Sequence, residues 1–452
     1  QESHTKHRYE IKGVKSEVDA ILAAARGRID VRSVQVLQSG EEGSPSDVVV
    51  LARVYAEDGD ILTLAPHSES TVSNGHARRG KRHSHSHSSV TVTKGEYDEE
   101  SLIAQDRAEV AACLDETEGY LDELRDGEVS LYTDSAFFDC FRPYDQVFAY
   151  FDLLTEQNPD IMTKFPNASV TFEGRPISAY RLSSPSATTS PKKALYTQSL
   201  IHAREWQSGS SSFYTVSSLI DDLRADNEEA KQILDEFDWY FVPIVNIDGY
   251  KYAWEVDRMW RTNRDLMSED GHFVPGVDLN RNFGPDEFFN LNPDDVDEET
   301  HPGDYPLSEP STAGLFEFIT GIDGMSGIVD MHTFGGQVLR PFSNQKDPPP
   351  EPYGSKMVAL SDSVRDALST REGVQYVSEP GGYLYEAFGC FDDGMFLAYN
   401  YTVPALTIEV EGLDFMVSQS TIRPVGENID KGLRRFAREV SAYSSFVADY
   451  LS

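Results

Sequence analysis

The sequence predicts an α/β domain built around a largely buried sheet and preceded by a small α+β unit. Apolar, strand-like runs alternate with amphipathic helical patterns from about Ala136 onward, which is the signature of that class. A self-contained strand, helix, strand, strand pattern occupies residues 8 to 66. At 452 residues the chain exceeds what one hydrophobic core usually serves, and 39% apolar with 11% aromatic residues supply a substantial core.

Taken in order, Arg8–Lys12 reads as a strand, Ser16–Arg26 as a helix, and Ile29–Leu37 and Val48–Tyr55 as strands. The segment Thr71–Ser89 then carries Arg78, Arg79, Lys81 and Arg82 among serines and His76, His83, His85 and His87. It has nothing to bury, so it is expected to be an exposed connector suited to a protease that cuts after basic residues. Its histidines read as part of a solvated linker, with loose metal binding as the alternative. Residues 100 to 128 are acidic and place Leu102, Ile103, Ala108, Val110, Leu114, Tyr120, Leu121 and Leu124 at helical spacing, as a helix linking the two parts would. Beyond Ala136 the alternating runs include Tyr144–Leu154, Ala194–Thr197, Tyr214–Leu223, Trp239–Val245, Ser311–Ile319, Gly327–Met331, Ala405–Glu409 and Leu433–Tyr443.

A formal charge of −37 argues against nucleic acid or an anionic membrane as partner, since both would be repelled. No apolar run reaches the length that crosses a bilayer. The chain starts at Gln1 with neither Met nor an apolar leader, as expected if one was removed. None of the three cysteines, Cys113, Cys140 and Cys390, lies in a Cys-x-x-Cys frame, which excludes the usual thiolate zinc sites. Asn167-Ala-Ser169 and Asn400-Tyr-Thr402 are acceptor sequons if the protein is secreted.

The chemistry centres on Ser199–Trp206. His202 and Glu205 follow a strand-like run and precede a helical one, the kind of junction where open α/β sheets bind ligands. An imidazole and a carboxylate three residues apart can share one zinc ion, with donors at about 2.0–2.2 Å, if a third ligand arrives from elsewhere. By itself so short a pattern is more often a surface ion pair, so the reading depends on what lies downstream. His332 ends the strand from Gly327 and is the candidate third ligand, and two more strand-like runs end in Asn246 and Glu409 at what is expected to be the same sheet edge. A carboxylate such as Glu409 after an apolar strand is costly without a partner or a task.

His202-Ala-Arg-Glu205-Trp, Asn246-Ile-Asp-Gly-Tyr250, Met259-Trp-Arg261-Thr-Asn-Arg264, Gly276-Val-Asp-Leu-Asn280-Arg281-Asn-Phe283, His332, Leu384-Tyr385 and Leu406-Thr-Ile-Glu409 occur in the order of the zinc metallocarboxypeptidases of the pancreatic A/B type. The resemblance spans roughly residues 136 to 452. It implies a mixed, mostly eight-stranded twisted sheet with helices on both faces. It implies one zinc ion per chain, held by His202, Glu205 and His332, with Glu409 as general base and Arg261 as oxyanion stabiliser. Asn280 and Arg281 match the pair that grips the substrate's terminal carboxylate, Tyr385 the mobile tyrosine that closes over it, and Arg204 a basic residue that helps dock the entering peptide. Asp392 matches the floor of the pocket for the last side chain, where aspartate selects Lys or Arg; a slip of one residue would substitute Asp393. Ser343, at another pocket position, leaves room for a long side chain. Because Cys390 falls in that pocket stretch, the disulfide expected is Cys113 to Cys140.

The sequence departs from the pattern at Thr333-Phe334, where a serine-tyrosine pair is usual, and lacks the disulfide common near residues 262 to 280. Residues 1 to about 130 resemble the family's activation segment in position and in the strand, helix, strand, strand reading, without a sequence match, and by analogy would cap the active site until cleaved. The expectation is thus a secreted or vacuolar, monomeric zymogen acting on peptide C-termini and activated by a protease that cuts after basic residues. The competing readings are an A-type preference for apolar C-termini, a catalytically inactive peptide-binding relative, and an enzyme removing glutamate or acting on cell-wall peptides, which would want a basic pocket floor.

Overall fold

The computed structural model describes residues 6–24, 30–38, 49–56, 90–185, 192–266, 274–289, 299–368 and 375–451. The basic connector at 71–89, with its expected cleavage sites and histidines, lies outside the described residues. The chain divides into two compact units, residues 1–109 and 110–452.

In the first unit, strands β1 (His7–Val14), β2 (Asp30–Gln38), β3 (Val49–Ala56) and β4 (Thr91–Asp98) form a sheet in the order β2-β3-β1-β4, with the helix Lys15–Ala24 between β1 and β2. Period-two alternation turns Tyr9, Ile11, Ala52, Val54 and Ala56 into a small core shared with Val18 and Val90. Strand β4 is an addition to the elements expected from sequence. Its Val-Thr alternation has high β-propensity but is short and interrupted by Lys94-Gly-Glu.

The expected linking helix is two helices, Glu99–Glu116 and Tyr120–Arg125. They separate at Thr117, whose hydroxyl donates back to the Cys113 carbonyl at 2.8 Å, a bond that competes with helix continuation. Cys113 is disulfide-bonded to Cys140, and Cys390 is free and buried.

The second unit is organised on eight strands, β5 (Met162–Val170), β6 (Pro176–Leu182), β7 (Lys193–Ser199), β8 (Phe237–Val242), β9 (Met325–Thr333), β10 (Gln337–Arg340), β11 (Val377–Pro380) and β12 (Ala405–Val410). Their order is β11-β10-β12-β9-β7-β8-β6-β5. The centre, β12-β9-β7-β8, is parallel, while β10 runs antiparallel to β12 and β6 antiparallel to both β8 and β5. The sheet is therefore mixed, with a parallel middle whose strands are buried along nearly their whole length because both faces are covered. Leu195 and Gly327 face Phe436 and Val440 of the long helix Ile422–Leu451, and Tyr196 faces Phe391 of the helix Phe391–Ala398 on the other side.

The helix after β7 begins at Trp206, eight residues before the expected Tyr214. Ser and Gly disfavour helix, but small residues let this turn approach the preceding loop: a Cβ on Gly209 would stand 2.6 Å from Leu200 Cδ1. Tertiary contact overrides propensity here. Among the described residues no helix is long and apolar enough to cross a membrane.

Candidate active site

Parallel pairing places the carboxyl ends of β7, β9 and β12 side by side, the edge where such sheets bind ligands. Ser199 registers with Met331 and Glu409 with His332. After β7 the chain turns sharply at Leu200, with φ at 55°, and carries His202 and Glu205 across the sheet edge before the helix starts. Asn246 staples this loop: its side-chain amide donates to Ile201 O at 3.2 Å and to Thr262 O at 2.9 Å, and Ala203 N donates to Arg261 O at 3.0 Å. The strand-end asparagine seen in the sequence thus ties together the segments that carry His202 and Arg261.

His202, Glu205 and His332 converge, each buried, with their donor atoms within 4.8 Å of one another. His202 Nδ1 lies 2.8 Å from Glu205 Oε1 and 3.1 Å from His332 Nδ1, and His332 Nδ1 lies 3.2 Å from Glu205 Oε2. Tetrahedral ligands at about 2.0–2.2 Å from one zinc stand about 3.3 Å apart, so this donor set fits the ion. Behind it, His202 Nε2 is 3.1 Å from Asp278 Oδ1, and His332 Nε2 is 2.9 Å from Asp330 Oδ2. A carboxylate at each Nε2 holds the proton there and leaves the Nδ1 lone pairs facing inward, the arrangement usual behind zinc-binding imidazoles. Burial opposes ionisation of Glu205, but the two imidazoles overcome it and hold the carboxyl well below its ordinary range. Its Oε2 also accepts from Thr333 N at 3.0 Å.

Asp278 and Asp330 are partners of the two imidazoles that sequence reasoning missed. Asp330 was legible, since two residues before His332 on a strand is the same face. It is further held by Gln198 Nε2 at 3.1 Å, whose oxygen accepts from Tyr196 OH at 3.0 Å. Replacing Asp330 by Asn is expected to weaken zinc binding about 10- to 100-fold, measured by competition with a chromophoric chelator; unchanged affinity would count against this role. Asp278 also accepts from Arg261 Nε at 3.1 Å and Nη2 at 2.7 Å, which aims that guanidinium across the site, with Nη1 3.9 Å from Glu205 Oε1.

Glu409 is half-buried, and burial pushes its carboxyl up to about 8; Glu205 adds to that, while His332 and Arg261 pull the other way. Asn280 reaches toward the histidines, its amide nitrogen 3.4 Å from His332 Nε2, and its oxygen accepts from Phe391 N at 2.8 Å. The neighbouring Arg281 is buried, donating to Asn280 O at 2.7 Å, to Cys390 Sγ at 3.4 Å and to Tyr385 OH at 3.0 Å. Among the described residues no carboxylate is paired with it. Gly389 permits this arrangement: with φ at 69°, a Cβ there would fall 2.0 Å from Arg281 O. Tyr385 is 55% exposed yet already leans over the guanidinium, its ring centroid 5.7 Å from the Arg281 guanidinium carbon.

Asp392 and Asp393 begin the helix Phe391–Ala398 and are both buried. Asp393 Oδ2 accepts from Ser343 N at 2.8 Å, while Asp392 Oδ2 and Asp393 Oδ1 have no hydrogen-bond partner among the described residues. Burial pushes both carboxyls up; the Asp392 charge raises Asp393 further, while Asp330 adds to the rise at Asp392 and the Asp393 backbone N–H opposes it. The structure brings Arg204 to the site's margin in a different state from that expected. Its fork is filled by Glu299, a residue that carried no signal in the sequence.

A family model described as zinc carboxypeptidase matches residues 147–430. Rat carboxypeptidase B2 is 27% identical over 281 residues, an alignment covering 61% of this chain and 65% of that protein. The inactive metallocarboxypeptidase ECM14 of Paracoccidioides lutzii is 30% identical over 255 residues, 55% of this chain and 42% of that one. The chain thus spans slightly under two thirds of the first relative and less than half of the second. The crystal structure of carboxypeptidase A from Helicoverpa armigera superposes with a TM-score of 0.72 at 21% identity, covering 98% of this chain and 99% of that chain, a likeness of fold.

Proposed function

The chain belongs to the zinc carboxypeptidase family, and on that premise we propose that it hydrolyses the C-terminal peptide bond of peptides and proteins, releasing Lys or Arg. The observation that carries this reading is Arg281. A buried guanidinium with no carboxylate partner among the described residues is costly unless a ligand completes it. Its neighbour Asn280, whose carbonyl it donates to, lies 3.4 Å from His332 Nε2, which supports assigning a peptide's free carboxylate to Arg281. Only a chain's last residue can put its carboxylate on Arg281 and its amide at the metal together, which makes the action exopeptidic.

His202, Glu205 and His332 would hold the zinc ion, which when bound would supply Lewis-acid polarisation of the scissile carbonyl and of water. Glu409 takes the proton of the attacking water and returns one to the leaving amine. Arg261, aimed by Asp278, faces the negative charge that develops on the carbonyl oxygen. Asn280 and Arg281 grip the terminal carboxylate, and Tyr385 covers it. The buried Asp392 offers its unpartnered oxygen to a cationic side chain, which an apolar residue would leave unpaired.

The proposal includes synthesis as a zymogen, activated by cleavage after basic residues, and secretion. Asn167 and Asn400, both exposed, head the two sequons, and a mobility shift of secreted protein on endoglycosidase treatment checks that part.

Peptides ending in Arg, Phe or Glu, offered before and after limited trypsin, test the whole. Arg release that rises on trypsin treatment, disappears with chelator and returns with zinc is the expected result. Preferred release of Phe would make the pocket A-type. No release from a trypsin-treated, zinc-loaded chain would overturn the enzymatic reading and leave a peptide binder. Asp392→Ile is expected to lower kcat/KM for the Arg peptide about 100-fold and to raise it for the Phe peptide.

A further inference from the structure

We propose that Arg258 is the positioning residue that aims the zinc ligand Glu205, by gripping the main chain on one side of that glutamate and the side chain on the other. The inference rests on the assignment of His202, Glu205 and His332 to zinc. Arg258 lies in the turn that follows the helix Ile247–Glu255, next to the exposed Asp257, yet is itself only 1% exposed. Its Nη1 donates to Arg204 O at 2.9 Å, the carbonyl of the peptide bond that leads into Glu205. Its guanidinium carbon stands 3.6 Å from the ring centroid of Trp206, the residue that follows Glu205. Arg204 returns the contact, its Nη1 donating to Met259 O at 3.2 Å, so the two segments clasp each other.

Glu205 needs such a grip because of where it stands. It occupies the N-cap of the helix Trp206–Arg224, but its carboxylate makes no cap hydrogen bond and is turned to the two imidazoles instead. A side chain committed to the metal cannot brace its own backbone, so neighbouring groups must. Ser208 Oγ holds the carbonyl of Glu205 at 2.8 Å, and Arg258 holds the peptide before it. Trp206 Nε1 is buried without a hydrogen-bond partner among the described residues, so its ring is held by its contacts with other rings and with Arg258. Trp254 lies nearly parallel to it at 4.1 Å. Arg258 Nη2 extends the brace by donating to Phe415 O at 2.9 Å. Phe415 follows the strand of Glu409 and packs edge-on, at 4.8 Å, against Phe334, two residues past His332. Reaching two carbonyls while lying over an indole is work for a planar guanidinium, which an ammonium cannot reproduce.

Zinc affinity, measured by competition with a chromophoric chelator, tests the role without reference to activity. In Arg258→Lys and Arg258→Gln the zinc dissociation constant is expected to rise about 10- to 100-fold, more for Gln than for Lys, and the visible bands of the cobalt-loaded chain to shift. Arg434→Lys is the control. Arg434 is also buried, but its partners are Asp430 and Asp222, away from the metal ligands, so its replacement should lower the melting temperature and leave zinc affinity unchanged. A folded Arg258→Lys or Arg258→Gln with wild-type zinc affinity, or an equal loss of affinity in Arg434→Lys, would overturn the inference. If neither Arg258 variant folds, Trp206→Leu decides in their place, because it removes the ring that Arg258 covers; wild-type affinity there would overturn the inference equally. A wild-type chain that takes up no zinc would instead remove the assignment on which the inference rests.

Discussion

Glu409→Gln is expected to lower kcat about 1,000-fold while the chain still binds one zinc ion. Glutamine preserves the size of the side chain and removes its capacity to take a proton, so what is lost is acid–base chemistry and not the shape of the site. The position favours that role. Glu409 pairs with His332 across the parallel β12–β9 ladder, and it is half-buried. Its folded-state carboxyl, pushed up to about 8 chiefly by burial, is poised for a proton to move on and off near neutrality. The sign of the pH dependence follows: the reaction needs the ionised base, so activity falls as pH drops through the Glu409 pKa. That limb should sit higher than for an ordinary carboxylate, and a bound dication lowers it again. Glu409→Gln should abolish this acid limb along with most of the rate. A variant within tenfold of wild type, with the limb intact, would assign the proton transfer to another group.

Arg281→Ala is expected to lower kcat/KM for free-acid peptides by about 100- to 1,000-fold. The comparison that isolates the clamp uses matched peptides ending in a free carboxylate or in an amide. Wild type should discriminate strongly between them, Arg281→Ala hardly at all. Arg281→Lys should recover only part of the discrimination, because an ammonium keeps the charge but not the planar two-point grip. If the free acid remains preferred in Arg281→Ala, the carboxylate is held elsewhere and the buried Arg281 is structural.

Much of the fold was legible because the central strands are covered on both faces. β7, β9 and β12 are buried along nearly their whole length, and Ser199, His332 and Glu409 stand at or next to their carboxyl ends, at the edge that carries the site. The amphipathic helices Tyr144–Gln157 and Pro310–Thr320 were visible for the converse reason, a periodic apolar stripe. Less legible were β10 and β11, four residues each, too short to show a period. The first turns of the helix from Trp206 were hidden as well, because a serine- and glycine-rich stretch is made helical by what it packs against.

Read as a linear chain, the protein specifies its class of chemistry: two histidines and a glutamate of the types zinc takes, a carboxylate at a strand end, an asparagine-arginine pair, and adjacent aspartates. Those identities survive in any conformation. Which charges answer one another was decided only by the tertiary structure. Asp278 backs His202 across 76 residues, Asp330 stands behind His332, and Glu299 reaches back 95 residues to fill the fork of Arg204. Arg281 is left without a carboxylate among the described residues. The physical reason is that charge–charge and hydrogen-bond energies are set by separations of about 3 Å and by exclusion of water. Both arise when distant segments pack, and neither is written in the spacing of residues along the chain.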